Sequence, residues 1–433
     1  MKKYFLVVGC LMFTFALNIS SSAFANDGQR IMPIVNYLLS HQPAKHYPPG
    51  TLFTAIPTET NVAYPAYLDS ITGPVFTNKI TRLSDSPGIP VNFPYPKTPS
   101  WNSDGTLLML THLFMNGNTY ELIEQNAWWD NDEKKWSAID PNIYYAMQHN
   151  NDEDDDGTND HSFVKRDVST TLATGAAPSR ELLITFSGAV YEKLLIGSYE
   201  GNIDHKDKYV VFSAKKHGKN FLTAIVYDIK LRAIKTTIDL TNVRWVDDQE
   251  HQIFDWISVS PSGEYILMNW VDDPNNENSD FRAAIYQYDI NMNFIRKLAN
   301  QGSHGDIGVN AAGQDVYVQF EYGSRRGIWG YDLDSGVETK LLPDKYNGGH
   351  VSCRNYQRPG WCYVSTTAEN YREIFALKLD GSGIVNRFAQ THTTGGSSQG
   401  GVNPDGTKMI FSSDWGGATA DDIYEAFVVE VEH

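Results

Sequence analysis

The sequence predicts an all-β fold, a seven-bladed β-propeller, on three observations. First, a tight turn of the Asp-Gly type leading into an apolar strand recurs along the chain: WNSDGTLLML at 101–110, DHKDKYVVFSA at 204–214, VSPSGEYILMNW at 259–270, VNAAGQDVYVQF at 309–320 and VNPDGTKMIFSS at 402–413. Such turns reverse the chain tightly, and the runs after them have strand length and β-branched or aromatic content. Second, a further strand ending in another turn follows, as in AIVYDIK at 224–230, AIYQYDIN at 284–291, GIWGYDLDSG at 327–336 and EIFALKLDGSG at 373–383. Third, the spacing is regular, near fifty residues, with double intervals filled by DPNIYYAM at 140–147 and RPGWCYVST at 358–366. Seven units result. A period of about forty to fifty residues with several short strands marks blades that bury their faces only against neighbours. A pair of β-sandwiches would not account for seven similar units.

Each segment has its own reading. Residues 1–25 read as a signal peptide: Lys2 and Lys3 are followed by an apolar run from Phe5 to Leu17, and Ala23-Phe24-Ala25 supplies a cleavage pattern, so the mature chain begins near Asn26. Val7-Val8-Gly9-Cys10 offers a second reading, a lipoprotein signal ending at Cys10, although the apolar stretch before that cysteine is short and continues past it. Residues 26–49 form an N-terminal extension, with IMPIVNYLLSH at 31–41 as the best helix candidate, outside the ring. Residues 50–433 form the propeller, closed by pairing a strand such as NKITRLS at 78–84 with the last blade. No later run approaches the ~20 apolar residues of a membrane span. The expected protein is a monomer, secreted or periplasmic.

Composition narrows the partners. A formal charge of −17 argues against nucleic acid and anionic membranes. Aromatic residues at 12%, with 34 glycines and 24 tyrosines, suit a secreted β protein with carbohydrate-contacting surfaces. There is no G-x-S-x-G elbow, phosphate loop or H-E-x-x-H, so serine hydrolase, nucleotide and zincin readings have no support.

Two candidate metal sites stand out. Asp152, Asp154, Asp156 and Asp160, with Gly157 between, could turn alternating carboxylates onto Ca2+. Phe163 stands where an EF-hand needs glutamate, and a solvated acidic loop is the plainer reading. Export would leave Cys353 and Cys362 as the only cysteines, and in an oxidising compartment their default is a disulfide. His350 stands three residues before Cys353, and His304 falls at the same repeat phase one blade earlier. Two imidazoles and two thiolates would make a closed structural Zn2+ site, with His392 in reserve. Spacing leaves both readings open.

The order of YPKTPSWNSDGTLLML, NGNTYEL, WSAIDPNIYYA, FDWISVSPSGEYI, SHGDIGVNAAGQDVYV, HVSCRNYQRPGWCYVS and SSDWGG resembles the seven-bladed secreted polysaccharide lyases, especially the ulvan lyases, with oligogalacturonate lyases more distant in fold. The resemblance implies β-elimination at a uronate in an anionic polysaccharide, and favours the zinc reading of His304, His350, Cys353 and Cys362. It matches His112 to a catalytic histidine and Tyr199 to the catalytic tyrosine, with Tyr191 as the alternative. Asn92 stands where a second histidine is expected and Lys215 where an arginine is expected; Arg282 and His251 are further substrate contacts. Lysine can act there as a point charge but not as a bidentate fork. Those two departures favour the other class of function, a non-catalytic periplasmic propeller that binds glycan or protein.

Overall fold

The structure is a computed structural model. It describes residues 50–431 apart from 53–58, 60–61, 86–94, 111–112, 126–132, 152–158, 244–253, 271–283, 303, 343–347, 367–371, 395–397 and 418–423. The leader, Cys10 and the helix candidate at 31–41 lie outside the described residues.

Seven antiparallel sheets form seven blades in a ring. The innermost strands of blades 2 to 7 are Glu133–Trp136, Tyr191–Leu195, Phe254–Val259, Asp306–Val309, Gly349–Ser352 and Gly401–Val402; in blade 1 a single bridge from Trp101 to Leu108 takes that place. The described exceptions to the all-β pattern are one short α-helix, Ser169–Thr174, inside blade 2, and two short 3-10 segments, Gly323–Arg325 and Trp415–Gly417.

The second strand of each blade explains the near-continuous apolar runs in the sequence. Its alternate residues enter two different cores, because both of its faces are covered by neighbouring blades. In Leu107–Leu110, Leu108 and Leu110 pack against blade 7, while Leu107 and Met109 pack against blade 2. In Tyr209–Lys216, Val211 joins the core with blade 4 and Phe212 the core with blade 2. The same alternation gives one core at every interface around the ring.

The recurring turns join first to second strands and depend on a left-handed residue. Gly105, Gly263, Gly313, Gly360 and Gly406 have φ between +73° and +86°. In blade 3 Asp207 takes that conformation instead, with φ +50°, and its carboxylate accepts hydrogen bonds from the Ala138 N–H at 3.0 Å and from Ser137 Oγ. Aspartate is among the few side chains that tolerate this region.

The ring closes as the sequence predicts. Lys79–Arg82 pairs antiparallel with the strand Glu425–Glu430, Arg82 opposite Phe427 and Lys79 opposite Glu430, and Ser70–Thr72 adds a fifth strand outside it. Thr51–Leu52 adds a fifth strand to blade 6 in the same way.

Cys353 and Cys362 are joined by a disulfide, with Cα atoms 4.6 Å apart. It lies in the apolar core between blades 5 and 6. Gly308 makes room for it, since a Cβ there would stand 2.9 Å from Cys362 Sγ. The bridge closes the base of the loop 354–361, which leaves blade 6 and reaches over the lower face of the ring, the face that carries the repeated turns. Gln357 Nε2 donates to Ser103 O of blade 1 at 2.7 Å, and the Gln357 N–H donates to Pro404 O of blade 7 at 2.9 Å. The Tyr356 ring meets His205 of blade 3 with centroids 5.0 Å apart. Blades 3 and 6 stand opposite each other in a seven-membered ring, so this loop crosses the axis. We expect a Cys353→Ala/Cys362→Ala variant to keep its β-type circular dichroism but to lose about 2–3 kcal/mol, the range for closing a short loop. Urea unfolding would measure this; an unchanged midpoint would rule out the stapling role.

A candidate active site at the axial funnel

Upper-face residues that precede each turn by a few positions share one depth along the axis. They bring together Tyr95, Lys97 and Thr98 from the lead-in to blade 1, Glu133 and Lys135 from blade 2, Tyr199 and Glu200 from blade 3, Asp255 and Trp256 from blade 4, His304 and Asp306 from blade 5, and His350 from blade 6. The contacts between them cross from blade to blade. Lys97, with 2% side-chain exposure, places its ammonium 2.6 Å from Glu200 Oε2 and 3.7 Å from the centroid of the Trp256 ring. Tyr95 Oη and His304 Nδ1 are 2.7 Å apart, and the rings of His304 and His350 have centroids 4.7 Å apart. Lys135 Nζ donates to Thr98 Oγ1 at 3.0 Å and to Tyr199 O at 2.9 Å.

The electrostatics follow from burial. His350 is held neutral, its pKa pushed down to about 3 by burial and then by His304 and Lys97. Burial also lowers His304. Asp255 is pushed up to about 7, first by burial and then by the nearby Glu200 carboxylate; Lys97 and a 2.7 Å hydrogen bond from Asn269 Nδ2 oppose the shift. Burial raises Glu133 and lowers Lys135, each partly offset by the other.

Blade 3 departs from the regular pattern. After Leu195 its innermost strand leaves the sheet, and Gly197, Ser198 and Tyr199 are consecutive left-handed residues with φ of +56°, +59° and +69°. Gly197 and Gly201 let this excursion lie against blade 4, since a Cβ would fall 1.8 Å and 2.7 Å from Ile257 O. The Asp204 N–H then donates to Tyr209 O, at the turn into the second strand. Left-handed serine and tyrosine store backbone strain of the kind that gathers at functional sites. Tyr199 is left 54% exposed, unusual for a tyrosine beside so much buried charge. Burial of the remainder and the Glu133 carboxylate raise its pKa, so the phenol keeps its proton.

Of the residues expected from the sequence, Tyr199 and Lys215 both belong to blade 3, on segments that a hydrogen bond ties together. The Ser198 N–H donates to Ser213 Oγ at 2.9 Å, and Lys215 follows Ser213 by two residues on the same strand, hence on the same face. Lys193 stands directly opposite Lys215 in the register, and Lys215 Nζ is 2.8 Å from Glu192 Oε1. Tyr191, the alternative to Tyr199, starts the same innermost strand, and its carbonyl lies 3.0 Å from His161 Nε2. Asn92, His112, His251, Arg282, Asp152, Asp154 and Asp156 lie outside the described residues. Asp160 is described and buried, and accepts the Gly188 N–H at 2.8 Å.

The four residues of the zinc expectation are not assembled into one site in the structure. The expected thiolate pair is a disulfide. His350 and Cys353 are three positions apart along a strand and its continuation, so alternation sends Cys353 into the core between blades 5 and 6 while His350 faces Tyr95. His392 is engaged elsewhere, its Nε2 3.4 Å from Glu59 Oε2 and its ring on Trp415 at 4.6 Å. Among the described residues no group of three or more His, Cys, Asp or Glu side chains could hold a metal ion.

Solved oligogalacturonate lyases share this fold. One, in complex with manganese, has a TM-score of 0.58 at 13% identity and covers 86% of this chain and 97% of its own. Another, from Vibrio parahaemolyticus, has a TM-score of 0.57 at 11% identity and covers 84% and 96%. At such identities the likeness establishes the architecture only. No family model and no curated protein matches the chain.

The Asp255 shift has a testable sign. A carboxyl whose folded pKa is raised contributes stability below its unfolded pKa, and loses it as pH rises toward the folded value of about 7. We therefore expect Asp255→Asn to gain stability relative to the parent as pH rises from about 4 to about 7, by a few kcal/mol at most. Thermal melts across that window would measure it; a constant difference would show that Asp255 ionises normally.

Proposed function

We propose that this protein is a polysaccharide lyase that cleaves a uronate-containing anionic polysaccharide, of the ulvan type, by β-elimination. The observation that carries the reading is a half-exposed, left-handed Tyr199 on an excursion that the Ser198 N–H ties, through Ser213 Oγ, to the strand carrying Lys215. Lys193 and Lys215 stand opposite each other on one strand pair, and such like charges favour an anion beside them; in the free protein Lys215 is paired with Glu192. A uronate carboxylate bound there would be neutralised, which the reaction requires because the C5 proton is otherwise too weakly acidic. A base takes that proton, the freed electron pair forms the C4–C5 double bond, and the C4–oxygen bond breaks. The departing glycosidic oxygen takes a proton, and Tyr199, holding its own, is the donor. His112 is the base that the family resemblance implies. The leader sequence and the disulfide support a secreted or periplasmic location.

A non-catalytic glycan- or protein-binding propeller is the second reading. It is favoured by the ion pairs Lys97–Glu200 and Lys215–Glu192, which already satisfy these charges.

The test is the ultraviolet absorbance of the unsaturated uronyl product after mixing the purified protein with ulvan, pectate and alginate. We expect a rise on one of them, and a loss of about 10²- to 10⁴-fold in Tyr199→Phe, the usual contribution of general acid–base catalysis. No rise on any of the three would sink the lyase reading.

A further inference from the structure

The segment that presents Tyr199 is held from outside its own blade by a buried pair of opposite charges. Glu133 and Lys135 are two residues apart on the innermost strand of blade 2, so they share a face, and they are 6% and 1% exposed. Glu133 Oε2 accepts the Ile196 N–H at 2.6 Å, just before the left-handed run, and the Tyr199 N–H lies close enough to stabilise the same carboxylate. Lys135 donates to the Tyr199 carbonyl at 2.9 Å, at the end of the run. Its other hydrogen bond goes to Thr98 of blade 1 at 3.0 Å, so the ammonium is itself fixed. Burying a carboxylate and an ammonium is costly, and an apolar pair of similar volume would serve the core of blade 2 at least as well. What charged groups supply here is strong hydrogen bonds to backbone in a strained conformation.

We propose that Glu133 and Lys135 are positioning residues. By gripping the two ends of the excursion 196–199, they hold Tyr199 in its left-handed conformation and aim its phenol at the bound glycan. The inference rests on the reading of Tyr199 as the proton donor. Neither residue touches the reacting atoms; both act through Tyr199. A shift of about 1 Å in a catalytic group costs on the order of a hundredfold in rate, so release of the grip should be visible in turnover.

The experiment uses the full chain carrying Lys135→Met, with Glu133→Gln as a second variant should the first fail to fold. On whichever polysaccharide the parent cleaves, we expect kcat to fall about 10- to 100-fold with KM unchanged within a factor of about two. Combined with Tyr199→Phe, Lys135→Met should cause no further loss, because a residue acting through another is not additive with it. Additive losses, or an unchanged kcat, would overturn the proposal. A second readout does not depend on activity. Amide hydrogen exchange at 196–201 should accelerate in the variant while the neighbouring strand Tyr209–Lys216 keeps its protection. Unchanged exchange at 196–201 would overturn the clamp even in an active enzyme. If the parent proves inactive on every polysaccharide while exchange accelerates as expected, the grip stands and the lyase reading falls.

Discussion

Each blade of this ring has two apolar faces and no way to cover either by itself. The second strands carry this constraint most plainly: Leu107 and Leu108, or Val211 and Phe212, are adjacent in sequence and buried in different cores. A sheet of this kind persists only between two others, so the structure depends on closing the circle. Closure is made by Lys79–Arg82, which lies far from Glu425–Glu430 in sequence and beside it in space. Stability is therefore collective, and the loops at the axis are spared from supporting the core. That freedom is what lets blade 3 interrupt its innermost strand and carry a strained tyrosine.

The interior chemistry grows out of the same geometry. Innermost strands converge, so residues from blades 1 to 6 meet at one depth, and charges that would be solvated on any single blade are forced into company. Lys97 lies between Glu200 and the Trp256 face, while burial first and the nearby Glu200 carboxylate second keep Asp255 protonated to unusually high pH. Arg354 grips Asp306 with two hydrogen bonds, of 3.0 Å and 2.8 Å, while Cys353 N–H donates to the same carboxylate at 2.7 Å. Blades 5 and 6 are thereby joined by charge above and by the apolar core around the disulfide below.

The architecture was legible because its signal is local and repeated. A turn needs a left-handed residue, and glycine or aspartate at that place in unit after unit reveals the period and even the closing strand. The site was less legible because its members lie in segments without repeat character. The stretches holding Tyr95 to Thr98 and Ile196 to Gly201 resemble nothing else in the chain, and only counting back from each turn would have placed Lys97, Glu133, Lys135, Glu200 and Asp255 together. Tyr199 was found through family resemblance. The four residues of the zinc expectation stand apart in the structure for a simple reason: a spacing of three suits ligands on a loop or helix, whereas on a strand it turns His350 and Cys353 to opposite sides.

The loop stapled by Cys353 and Cys362 has one more consequence. With Tyr356 resting on His205 across the axis, the loop obstructs the lower end of the ring. A long polymer cannot be threaded through such a ring from one end. A polymer substrate of the proposed kind would meet the rim side-on at any point along its length and depart by lifting away.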